Sequence, residues 1–197
     1  MLDTHAAWLA NQGMNYLATG ENPPRLGNQH PNIVPYQVFA TADGFVVLSI
    51  GNDPTFERFC KEFGLEQLLS DARFTTNAAR VRNRELLTTM LTPLLWRETT
   101  HWWVTRLEVL NIGCGPINTL KDVFADPQIK ARNVVREMAH SSGATVKVIA
   151  NPIRLSETPA DYRLPPPLLG EHTVEILRDR LGLGETELTK LREQKVI

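Results

Sequence analysis

The sequence holds little with which to build a metal centre or a disulfide framework. Its 197 residues include two cysteines, Cys60 and Cys114, far apart and outside any Cys-x-x-Cys pair or Cys/His cluster. That spacing excludes the usual zinc patterns and makes a reducing compartment, the cytoplasm, the expected setting. No apolar run approaches the roughly 18 residues of a membrane span, and no basic-then-apolar leader is visible, so neither membrane insertion nor secretion is expected. An excess of one charge is also missing. Lys+Arg number 21 against 22 Asp+Glu, which leaves no basic field for nucleic acid or anionic lipid. Gly 12 and Pro 13 sit near the ordinary background, so extensive disorder is not expected. The glycines form no phosphate cradle: "GCGP" at 113–116 lacks a third glycine and follows a helical pattern, not a strand. No Gly-x-Ser-x-Gly elbow occurs. What remains is one large domain or two small ones, with several catalyst classes removed and none named.

The patterns that are present describe an α+β protein. Leu2, Ala6, Trp8, Leu9, Met14, Tyr16 and Leu17 recur at helical spacing over residues 3–19, Gly20 ends the run, and Asp3 reads as its N-cap. "ENPPRLGNQHPNIVP" is an ordered loop or linker. "YQVFATADGFVVLSIG" is a hairpin about Asp43-Gly44. In "NDPTFERFCKEFG" a helix capped by Asp53, with Pro54 at its first position and Gly64 as its stop, puts Phe56, Phe59, Cys60 and Phe63 on one face. Residues 76–95 read as one amphipathic helix burying Val81, Leu86, Leu87, Met90, Leu91 and Leu94, kinked or ended early by Pro93. "TTHWWVTRLEVLNIGCGP" reads as a helix capped by Thr99 or Thr100, with Gly113 and Gly115 ending it and turning into Pro116. Two short helices broken at Asp126-Pro127 follow. "VVREMAH" and "TVKVIA" then form a second hairpin, able to join the first in one sheet. A Pro-rich stretch over 151–169 precedes two short helices, 171–181 and 185–194.

Few residues invite a chemical role. His5, His30, His101, His140 and His172 are scattered and show no metal-ligand spacing. His101 suits a core-edge position beside Trp102-Trp103, and His172 a helix start. Trp96, Trp102 and Trp103 suit a core or an interface. His30 lies in "LGNQHPNIVP", an irregular polar loop of the kind that lines sites; it reads equally as a turn-stabilising residue. Neither cysteine has an activating partner in sequence.

Four stretches change this balance: "MLDTHAAWLANQGMNYLATG", "RLGNQHPNIVPYQVFATADGFVVLSIGND", "GCGPINTLKDVFADPQI" and "PPPLLGEHT". In this order, along essentially the whole chain, they resemble the class III CoA-transferases, the CaiB/BaiF group that includes formyl-CoA transferase. "HPNIVPYQVFATADG" with "RLPPPLLG" is most similar to members that move CoA between dicarboxylic acids, as succinyl-CoA:glutarate enzymes do. The resemblance implies that a Rossmann-like large domain precedes this point in the family. Residues 1–35 would be a helix of that domain with a linker, 36–150 a small α+β domain, and 151–197 a segment returning to the large domain. Alone, such a chain is expected to bind CoA poorly and not to turn over, and to expose apolar surface on its first and last helices.

The same resemblance implies roles. The family's catalytic aspartate, in a small or apolar-Asp-small motif at a helix start, matches Asp3 in "MLDTHAA". CoA enters as a thioester substrate, and no cofactor is implied. The aspartate attacks the acyl-CoA and releases CoA thiolate from a mixed anhydride; the thiolate then leaves an aspartyl-CoA thioester, and the incoming acid reverses these steps. Formyl-CoA transferase-like members close the site with a polyglycine loop. Here that region has a single Gly27, and Asn28, Gln29 and His30 would line the site in its place. The implied partners are an acyl-CoA, a carboxylic acid and a second copy in an interlocked homodimer, or a separate N-terminal chain. Two alternatives stand beside this: a racemase of the same superfamily, using the aspartate as an acid/base, and a truncated chain without catalysis.

Overall fold

The first helical pattern forms, but as two helices. A computed structural model describes residues 1–197, and in it α1 spans Leu2–Ala7 and α2 Ala10–Thr19, separated by a turn at Trp8-Leu9 and a φ of 44° at Ala10. The N-cap of α1 is Met1, so Asp3 lies in the first turn and does not cap. Gly20 ends α2 in the left-handed region, its N–H bonded to the Tyr16 carbonyl. As expected of these helices, the apolar stripe is bare: Leu2 and Trp8 are each 81% exposed and Leu17 75%.

Two compact units make up the chain, residues 1–117 and 118–197. In the first, β1 (Tyr36–Ala40) and β2 (Phe45–Ser49) pair antiparallel with Val38 opposite Val47. Helix α3 (Asp53–Glu62) is capped one residue before the expected cap, Asp53. Asn52 accepts the Thr55 N–H at 2.9 Å, and Asp53 and Pro54 open the helix. That shift frees the Asp53 carboxylate for contacts elsewhere. After α4 (Gln67–Ser70), the helix expected over 76–95 divides into α5 (Asn77–Arg82), capped by Thr76, and α6 (Arg84–Leu95). Asn83 breaks it by leaving helical geometry while its Nδ2 bonds the Ala79 carbonyl at 2.9 Å. Pro93 is tolerated inside α6, in its last turn. Helix α7 (Thr100–Val109) is capped by Thr99.

The stretch "GCGP" is not a turn but β3 (Gly113–Pro116), which pairs antiparallel with β2 and completes the order β1-β2-β3. Glycine carries this pairing: a Cβ at Gly113 would stand 3.3 Å from the Ser49 Cβ and carbonyl. Phe39, Val46, Leu48 and Ile50 of the sheet region pack with Phe56 and Phe59 of α3, Leu87, Leu91 and Leu95 of α6, and Trp103 and Leu107 of α7. The i,i+4 row Leu87-Leu91-Leu95 is the buried stripe of α6, and Leu86 and Met90, expected inside, lie on its flank, 39% exposed each. The Trp103 indole N–H, which needs a partner once buried, reaches the Leu95 carbonyl at 2.8 Å.

In the second unit, α8 (Leu120–Ala125) opens on a Thr119/Asp122 capping box, and Asp126 caps α9 (Pro127–Ala131). Strands β4 (Val135–Ala139) and β5 (Thr145–Ile149) form a hairpin with a sheet of their own, so the second hairpin does not extend the first. Its short strands already pair with each other, and β3 occupies the β2 edge in the first sheet. Helices α10 (Thr173–Leu181) and α11 (Glu185–Glu193) close the chain. The architecture is α+β, and no helix is long and apolar enough to cross a membrane.

Candidate active site

The loop between α2 and β1 is the most heavily tied irregular segment of the first unit. Gly27 takes a φ of 60°, a conformation open to glycine at little cost, and a Cβ there would meet nothing within 4 Å. The Asn28 side-chain oxygen accepts the Val38 N–H at 3.0 Å, and the Gln29 oxygen accepts from Arg84 Nη1 at 3.1 Å. Because a backbone amide and a guanidinium can only donate, both side-chain amides have fixed orientations. Their NH2 groups face away from these contacts.

His30 is stacked on Tyr36, ring centres 5.2 Å apart and 13° from parallel. Its Nδ1 accepts the Asn32 N–H at 3.1 Å, which places the neutral ring's proton on Nε2. Nε2 lies 3.2 Å from the Asn11 side-chain amide, and the contact is a hydrogen bond when Asn11 presents its oxygen. One turn further along α2, Asn15 and Asn32 exchange amide hydrogen bonds of 3.3 and 3.0 Å. Helix α2 is thus seated on the loop by two asparagines at i,i+4 spacing.

From the other side, α5 and α6 grip the loop. Asn77 Nδ2 donates to the Asn32 carbonyl at 2.8 Å, and its oxygen accepts the Val34 N–H at 3.1 Å. Arg80, fully buried, donates to the carbonyls of Val34 (2.7 Å) and Phe74 (3.0 Å) and to Asp53 (2.7 Å), and lies 4.3 Å over the Phe56 ring. Arg84 donates to the carbonyls of His30 (3.1 Å) and Pro31 (2.7 Å) as well as to Gln29. Sequence reading passed over Asn11, Asn15, Asn77, Arg80 and Arg84. The available signals were the polar i,i+4 pair on an otherwise apolar helix and the crowded "RVRNR" run, neither of which points to a loop.

Gly27, Asn28, Gln29 and His30 therefore stand together, whereas Asp3 is on the separate helix α1, exposed to solvent. The hydrogen bonds of the loop reach α2 but not Asp3. A cleft of about 410 Å3 borders the loop, walled by Asn15, Leu26, Pro31, Asn32, Val81 and Arg84. Larger clefts of about 650 and 510 Å3 lie in the second unit around the β4–β5 hairpin; neither they nor the 410 Å3 cleft is lined by Asp3, Gly27, Asn28, Gln29 or His30. The loop is the better candidate because its side chains are fixed by hydrogen bonds and Asn28 and Gln29 keep unused donors. The two thiols are not poised as nucleophiles: burial pushes Cys60 up to about 12 and also raises Cys114.

A family model described as CoA-transferase family III matches residues 1–173. The succinate–glutarate CoA-transferase of Agrobacterium fabrum is 40% identical over 183 residues, covering 91% of this chain and 45% of the relative. The human succinyl-CoA:glutarate CoA-transferase is 34% identical over 197 residues, covering 100% of this chain and 45% of the relative. The crystal structure of a CaiB/BaiF family protein from Brucella suis superposes with a TM-score of 0.70 at 40% identity, over 86% of this chain and 44% of that one. The chain spans less than half the length of each of these proteins. With matched residues running from α1 through the loop and both hairpins, the chain belongs to CoA-transferase family III.

Proposed function

We propose that this chain carries the nucleophile and a substrate-contacting loop of an enzyme that moves CoA from an acyl-CoA thioester to a dicarboxylic acid. The observation that carries the reading is the family match over residues 1–173, which encloses both Asp3 and the loop 27–30. Two relatives named for succinate and glutarate support a dicarboxylic substrate.

Asp3 acts as the nucleophile. One carboxylate oxygen attacks the thioester carbonyl, the C–S bond breaks, and a mixed anhydride and CoA thiolate result. The thiolate attacks the aspartyl carbonyl, expelling the first acid as carboxylate and leaving an aspartyl-CoA thioester. The acceptor carboxylate attacks that thioester, and the released thiolate takes up its acyl group, restoring Asp3. A carboxylate is a weak nucleophile, so positioning must lower the barrier, by up to about 7–11 kcal/mol in well-oriented cases. Donors to the tetrahedral oxyanion contribute about 3–4 kcal/mol each. With their oxygens committed to Val38 and Arg84, Asn28 and Gln29 have NH2 groups free to donate to substrate. Asp3 in the first turn of α1 stands where helix N–H groups favour a carboxylate. The bare apolar side chains of α1 and α2, among them Trp8 and Leu17, suit burial by a second copy in a homodimer.

Asp3→Asn keeps the side-chain shape and removes the nucleophile. In the chain joined to the remaining length that its relatives carry, succinyl-CoA:glutarate transfer should fall by at least about 10^3-fold. Retained transfer would overturn the reading, as would solvent deuterium entering the carbon α to the thioester without any acceptor acid.

A further inference from the structure

Arg84 is a cation without an anion. It is half-buried at the start of α6, lines the 410 Å3 cleft beside the loop, and gives its hydrogen bonds to uncharged oxygens only: the Gln29 side chain and the His30 and Pro31 carbonyls. Desolvation lowers its pKa, and no carboxylate opposes that effect. Its neighbour Arg80, by contrast, has Asp53. A guanidinium has five N–H donors. Arg84 uses both on Nη1 and one on Nη2, which leaves the Nε–H and the second Nη2–H. Nε has no hydrogen-bond partner and, because no buried polar side-chain atom of the protein lacks one, it is open to solvent. An edge of two parallel N–H groups matches the two oxygens of a carboxylate. The three carbonyl-side hydrogen bonds fix the fork in place, so little rotamer entropy is lost when an anion arrives. Glu21 also lines the cleft but does not pair with Arg84, which leaves the fork open.

We propose that Arg84 is a carboxylate-binding site, taking a carboxylate of a small organic acid through Nε–H and Nη2–H in the cleft between α2, the loop and α6. The choice of an organic acid rests on the transferase reading; the existence of an anion site does not. In that reading Arg84 is a specificity-determining residue that recognises substrate by charge.

The test is a titration of the protein with glutarate, followed by the arginine side-chain 15N–1H resonances, with uncharged glutaramide and inorganic sulfate as comparison probes. Glutarate should shift the Arg84 Nε–H resonance saturably, and glutaramide should not. Arg84→Lys keeps a cation but loses the fork, and should bind glutarate roughly tenfold more weakly, read from the loop amide shifts. If Arg84→Lys does not fold, the wild-type shift alone decides. No Arg84 shift with glutarate would overturn the site. A shift with glutaramide as large as with glutarate, or with sulfate as large as with glutarate, would overturn the carboxylate assignment. With transfer assayed on the chain joined to the remaining length that its relatives carry, transfer without the shift refutes this inference and leaves the transferase reading standing; the shift without transfer does the reverse.

Discussion

Arg80 offers the sharpest test of what holds the loop. Its side chain is fully buried, yet its ionic partner Asp53 is half exposed, at 50%. An ion pair with one partner in solvent contributes about 1 kcal/mol or less. Most of what Arg80 does therefore lies in its other contacts. Replacing it with methionine strips the donors from the buried carbonyls of Val34 and Phe74, at about 1–3 kcal/mol for each orphaned group. The stacking over Phe56 adds about 0.5–1 kcal/mol. Arg80→Met should therefore cost about 2.5–8 kcal/mol. Asp53→Asn should cost about 1 kcal/mol or less, because the amide oxygen can still accept from Arg80 and from the Asn77 N–H. Urea unfolding followed by tryptophan fluorescence measures both. All four tryptophans, Trp8, Trp96, Trp102 and Trp103, lie in residues 1–117, so the signal reports that unit and does not merge two transitions. An Arg80→Met cost below about 1 kcal/mol, or an equal cost for both variants, would refute the reasoning.

Gly27→Ala forces a side chain into the left-handed region without any clash. It should cost about 1–2 kcal/mol in the same unfolding assay, and a cost below about 0.5 kcal/mol would contradict that. The thiols give a pH-dependent prediction. With Cys60 pushed up to about 12 and Cys114 also raised, both stay protonated at pH 8, and the thiolate is the reactive form. A disulfide-exchange reagent should find Cys60 protected in the native protein and label both cysteines in urea; rapid native labelling of Cys60 would contradict the burial.

The sequence was legible where one signal decides a local structure. Asp43-Gly44 gave its hairpin, Gly20 and Gly64 their helix ends, and Asp126-Pro127 its break, because each rests on backbone chemistry within a few residues. Reading failed where a distant partner decides. "GCGP" looked like a turn because its strand character comes from pairing with β2, and no propensity of glycine or proline announces that. Asn83 broke an apparently continuous helix through its own side chain, the local competition asparagine offers in helix interiors. The apolar pattern of α1 and α2 correctly read as helical, but periodicity says only that a face is apolar and not what covers it. For the site, resemblance pointed to Asp3 and residues 27–30. The clamp of Asn77, Arg80 and Arg84 joins residues 43–55 positions apart in sequence and became visible only in the fold.

The central claim is that Asp3 becomes covalently attached to CoA during turnover. The chain joined to the remaining length that its relatives carry, incubated with succinyl-CoA, digested at low pH and analysed by mass spectrometry, should yield the peptide containing Asp3 bearing CoA as a thioester. Hydroxylamine should convert that adduct to a hydroxamate, and Asp3→Asn should abolish it. An adduct on any other residue, or transfer activity with no adduct at Asp3, would contradict the account.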